Sequence, residues 1–179
     1  VVANLGRIRK NFKAAKRAII NFNPDVLILI DYPGFNMKMA AVDPAGLPVI
    51  TFSEDISFHL NGDTVQAIHV PHSHTDGDAI IYFSSANVIH AGDTLFNNLF
   101  PYIDLDSGGS VEGFIKAQEK LIAMSDDDTV LIAGHGELAS KADVERNLAV
   151  LVDGRKRVKA LVDQGMSEEE VLAANPLAE

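Results

Sequence analysis

The chain has 179 residues, 47% hydrophobic and 22% charged, with no cysteine; it is long enough for one substantial core, and disulfides and thiolate-held zinc are excluded. Its net charge of -10 hides an asymmetry, because residues 1–41 hold seven Lys or Arg against Asp25 and Asp31, a local +5, while the remainder carries -15. No apolar stretch approaches the roughly 20 residues of a membrane span and no export signal opens the chain, so a soluble protein of open compartment, without a nucleic-acid partner, is expected.

Leu5, Ile8, Phe12, Ala15, Ile19 and Phe22 recur at helical spacing with Arg and Lys between them, which predicts a basic amphipathic helix. Its charged side suits a solvated face or an anionic membrane surface. Pro24 closes that helix. Val26–Ile30 then reads as a strand covered on both faces, ending at Asp31 and a Pro33-Gly34 turn. The charge changes sign near Ala41, and the Pro and Gly punctuation of Val42–Pro48 makes this a candidate boundary. Residues 1–41 become a helix-strand segment of different origin, and residues 42–179 the main domain. One basic helix on an otherwise acidic domain is the alternative.

Beyond Pro48 the pattern changes. Val49–Phe52 and Ile56–Leu60 read as short strands, and Asn61-Gly62-Asp63 supplies a hairpin turn into Thr64–Val70. Ala79–Phe83 and Asn87–His90 follow, separated by the Ser84–Ala86 turn, so the middle of the chain is a β-meander. Val111–Met124 is a helix with Phe114, Ala117, Leu121 and Ile122 on one side. Asp126–Asp128 is a turn and Thr129–Ala133 another strand. Ala142–Val162 is an amphipathic helix, and Ser167 with Glu170 has capping-box spacing for a last helix, Glu168–Ala174. The fold class is α/β.

With cysteine absent, any metal must be held by His and carboxylate, usually with three protein ligands on a catalytic ion. Three such groups sit just past strand-like runs: His74 after Thr64–Val70, Asp93 after Asn87–His90, and His135 after Thr129–Ala133. Loops leaving one edge of a layered sheet converge on a single rim, which suits a shared site. His72 and His74, two apart, fall on one face of an extended segment. Gly92 precedes Asp93 and two glycines bracket His135, allowing close backbone approach. Taken singly, a His or Asp in a turn more often caps backbone amides than binds metal.

His74 within PHSHTDGDAIIYF, Asp93 within VIHAGDTLF and His135 within VLIAGHGEL resemble the later ligand motifs of the metallo-β-lactamase superfamily, from about Leu47 to the C-terminus. The resemblance implies an αβ/βα sandwich, of which this chain carries a part, and hydrolysis by metal-activated water. It assigns His74 to a first metal, Asp93 to a bridge between two, and His135 to the second. It further implies zinc, up to two ions, and an unknown small-molecule substrate, and it assigns no further catalytic residue in this chain. The Phe96–Gly109 loop would lie near the mouth of the site.

The family's upstream His-x-His-x-Asp-His motif is absent, and no His precedes His59. About two protein ligands per ion remain, so weak or partial binding and impaired activity are expected. His69, His72 and His90 are substitutes in principle, although His69 and His90 alternate within strands and suit a polar partner or solvent. Asn11–Ala40 instead resembles part of lipid-A-disaccharide synthase, especially at PDVLILIDYPGFN, which makes the chain read as a junction of two fragments. A non-catalytic scaffold and a fragment of that glycosyltransferase are the alternative functions. A partial sandwich also leaves sheet surface uncovered, so self-association is expected.

Overall fold

Asn61 and Gly62 both take positive φ, 55° and 80°, as a tight two-residue turn demands, and they join Asp55–Leu60 (β1) to Asp63–His69 (β2) with Leu60 opposite Asp63. The computed structural model describes residues 52–178 together with Arg17, Asn21 and Ile50. The chain divides into two units, Val1–Phe52 and Ser53–Glu179. Of the expected N-terminal helix, Arg17 and Asn21 are described, both helical and exposed. The Val26–Ile30 strand and the boundary near Ala41 lie outside the described residues.

In the second unit β1 and β2 continue into Ala79–Phe83 (β3), Val88–Phe96 (β4) and Val130–His135 (β5), a five-stranded sheet in sequence order. The first four strands are antiparallel. β5 runs parallel to β4, which requires the crossover supplied by Val111–Met124 (α1). Lys141–Val162 (α2) and Glu168–Ala174 (α3) complete the fold. Ile68, Ile80, Ile89 and Leu131 form one sheet face that packs on Ala117 and Leu121 of α1 and Val144 of α2. On the opposite face Ala67 and Ile81 are buried, whereas Phe58, Val65, Phe83 and Ile132 stay partly exposed. Among the described residues, no helix is long and apolar enough to cross a membrane.

The helix limits follow the caps. Ser167 and Glu170 form the expected box and α3 spans the expected residues, while α2 starts one residue early because Ser140 and Asp143 form a second box. Two strand limits are corrected. Ile50 and Phe52 have no regular structure and are exposed, because β1 is the sheet edge and no described strand pairs with its outer side. β4 does not end at His90: it runs on to Phe96 through two register shifts against β5, with Gly92 at φ 55°. A bulge there lets pairing resume instead of stopping.

Candidate metal centre

His74 sits on the 70–78 loop between β2 and β3, closed at its base by the Val70 N–H donating to the Asp78 carbonyl at 3.0 Å. The Asp78 carboxylate accepts from the Thr75 amide at 2.9 Å and the Thr75 hydroxyl at 2.8 Å, and the Gly77 amide donates back to that hydroxyl. Burial raises the Asp78 pKa, against the Thr75 hydrogen bonds and the attraction of His74, which lower it.

A second loop is zipped to the first. The Asp104 amide donates to the His74 carbonyl at 2.9 Å, the Asp76 amide to the Ser107 carbonyl at 3.0 Å, and the Ser110 amide and hydroxyl to the His72 carbonyl. Ser110 also caps α1. At Gly109 a Cβ would collide with the His74 carbonyl, so only glycine permits this approach.

Asp93 and His135 arrive on adjacent parallel strands. Asp93 lies inside the irregular end of β4 and His135 is the last residue of β5, so both are strand residues and not loop residues as the motifs suggested. Gly134 makes the room: a Cβ there would strike the Asp93 carboxylate and the Gly92 carbonyl. The Asn97 amide donates to the His135 carbonyl at 2.9 Å, and its side chain donates to the carbonyls of Glu137 and Leu138. Phe96 stacks on the His135 ring, centroids 4.6 Å apart and planes 19° apart.

The structure brings the three predicted residues together. Asp93 Oδ2 lies 3.6 Å from His74 Nε2 and Asp93 Oδ1 lies 3.2 Å from His135 Nε2. Two donors about 2.1 Å from one tetrahedral ion stand about 3.4 Å apart, so each pair has the spacing of neighbouring ligands. His74 Nδ1 lies 2.7 Å from the Tyr102 carbonyl and therefore carries the proton. In the neutral ring this leaves the Nε2 lone pair toward a carboxylate, a contact that a shared cation relieves. Yet each pair supplies two donors. Among the described residues, no group of three or more His, Asp or Glu converges to hold one ion.

His69 and His72 are engaged elsewhere. His72, with φ 55°, places Nδ1 at 3.1 Å from both the Gly108 carbonyl and Asp76 Oδ1. His69 faces two carbonyls, Asp76 at 2.7 Å and Ser53 at 3.1 Å. His90 Nδ1 is buried and has no hydrogen-bond partner among the described residues. Sequence reasoning missed the Tyr102 carbonyl, the Asp78 clamp and the Phe96 stack. For Asp78 a signal existed, since Thr75 and Asp78 are spaced as a self-bonding turn.

The family model for the metallo-beta-lactamase superfamily matches residues 5–135. The match begins upstream of Leu47, within the basic segment, and ends on His135. A metallo-beta-lactamase from Pontibacter korlensis superposes with a TM-score of 0.55 at 15% identity, over 76% of this chain and 62% of that one. A metallo-beta-lactamase family protein from Thermus thermophilus gives 0.52 at 20% identity, over 66% and 39%. The lipid-A-disaccharide synthase of Geobacter sulfurreducens is 48% identical over 42 residues, 24% of this chain and 11% of that protein. The chain therefore spans about a tenth of that curated relative and less than two thirds of either solved structure.

Proposed function

Since the chain belongs to the metallo-beta-lactamase superfamily, we propose that it is a metal-dependent hydrolase of that group with an incomplete zinc site, His74 and Asp93 facing one ion and Asp93 and His135 a second. The observation that carries this reading is the placement of the Asp93 carboxylate between two imidazole Nε2 atoms, at 3.6 and 3.2 Å, with the His74 proton held on the far side of its ring by Tyr102. That is the arrangement by which an outer hydrogen bond fixes the tautomer of a metal-ligating histidine. With two donors for each ion, binding is weak and no catalytic step is assigned.

Zinc analysis after exhaustive dialysis tests it. Less than one equivalent retained, with reversible uptake on titration, is the expected result. Two retained equivalents would overturn the incompleteness. No uptake at millimolar zinc would favour a non-catalytic scaffold, a second reading supported by the absence of a three-ligand group among the described residues. Glycosyl transfer is not carried over from a match of 42 residues, and titration with a sugar nucleotide is expected to be silent.

A further inference from the structure

Behind the Phe96 ring lies a cleft of about 350 Å³ bounded by the 98–101 segment, α1 and α2. Its walls are apolar, with Phe96, Leu99, Phe100, Phe114, Val150 and Leu151 among them, and no Asp or Glu among the described residues lines it. Leu99, Phe100 and Val150 are more than half exposed, apolar surface that a ligand would cover. Gln118, Arg146 and Asn147 supply polar groups.

Two of these polar groups are fixed. The Asn147 amide donates to the Phe96 carbonyl at 3.3 Å, and Gln118, 1% exposed, donates through Nε2 to the Thr94 carbonyl while its Oε1 has no partner among the described residues. Arg146 has capacity left. It donates to the Ala142 carbonyl and the Asp143 carboxylate, two of the five donors a guanidinium carries. Asp143 is in turn held below the usual carboxylate range, first by the Ser140 hydroxyl, then by the Ser140 amide, and only later by Arg146. Arg146 nevertheless stays ion-paired with Asp143, and the N–H groups beyond these two contacts are what the cleft can use. Among the described residues, the guanidinium remains the one cation lining an apolar cleft on an acidic chain.

From this we infer that the cleft binds a small amphiphilic carboxylate, with its alkyl or aryl body on Phe96, Phe114 and Val150 and its head group on Arg146. The inference does not depend on metal, while the cleft shares the Phe96 ring with the candidate centre. Calorimetric titration of the full chain, dialysed against chelator, with octanoate and with octanol below their aggregation limits tests it. Saturable octanoate binding at one site is expected, about tenfold tighter than octanol and about tenfold weakened by Arg146→Gln. Val150→Asp, at an exposed position, is expected to abolish it while circular dichroism and the melting transition stay unchanged. Octanol binding as well as octanoate, Arg146→Gln binding like the parent, or an absence of saturable heat would each overturn the inference. His135→Gln is expected to leave octanoate binding intact. Its loss there, with Arg146→Gln unaffected, would place the ligand at the candidate centre and overturn the inference as well.

Discussion

The two imidazoles that flank Asp93 are held in unlike ways. His74 is 13% exposed at its side chain, its Nδ1 proton is tied to the Tyr102 carbonyl, and its ring makes tilted contacts with those of Phe96 and Tyr102. His135 is 54% exposed and rests mainly on a single stack with Phe96. One half of the candidate centre is built by two loops zipped together through backbone hydrogen bonds, and the other is a strand end open to solvent. Preorganisation lowers the cost of ordering a ligand set, so the His74 side should retain metal affinity that the His135 side lacks.

The largest perturbation breaks both halves at once. Gly134→Ala drives a methyl group into the Asp93 carboxylate and the Gly92 carbonyl, and overpacking typically costs about 1–3 kcal/mol. Urea unfolding should show that loss along with abolished zinc uptake. A variant as stable as the parent would mean that Asp93 is not seated on the glycine.

Next comes the sheet. The face carrying Phe58, Val65, Phe83 and Ile132 is partly exposed, and gel filtration at micromolar concentrations is expected to show species larger than one chain. Phe58→Asp should restore the monomer with little change in melting temperature. A compact monomer of the parent chain is the unwelcome outcome. The same face shows how far the sequence could be read. The short apolar runs of β2 and β3, the Asn61-Gly62 turn and the Ser167 cap were all legible, because each depends on neighbours in the chain. The continuation of β4 through Gly92 was not, since it depends on β5 about forty residues on offering a partner at the right register. The proximity of His74, Asp93 and His135 was anticipated from strand ends, whereas the Tyr102 carbonyl that orients His74 is a main-chain group with no signature of its own.

Asp78→Asn sharpens the comparison by addressing the His74 half alone. Asp78 accepts two hydrogen bonds from Thr75, and weakening them should cost about 1 kcal/mol. Its pH dependence is more diagnostic. The folded-state pKa is raised above 3.8, first by burial, so the native state holds the Asp78 proton to higher pH than the unfolded chain does. This contribution is fully present below 3.8 and is lost as pH rises through the folded value. The difference in stability between parent and Asp78→Asn should therefore change across the window just above pH 3.8 and stay flat near neutrality. A parallel pair of pH profiles would show that the carboxylate is not buried.

Single ligand replacements then separate the halves. His74→Gln is expected to weaken zinc uptake about tenfold, and His135→Gln by less, because the exposed ring must first be ordered. Equal losses would mean that the two sides are equally organised.

The smallest effect is expected from Phe96→Leu, and it bears most directly on the asymmetry. The ring stacks on His135 at 4.6 Å but meets His74 only in a tilted contact at 6.3 Å, and an aromatic pair contributes about 0.5–1.5 kcal/mol beyond its buried area. Leucine keeps the apolar volume and removes the stack. The imidazole proton resonances of His135 should move toward solution values while those of His74, still tied to Tyr102, stay in place. If both shift together, Phe96 supports the two rings as one unit and the division between a preformed half and an open half fails.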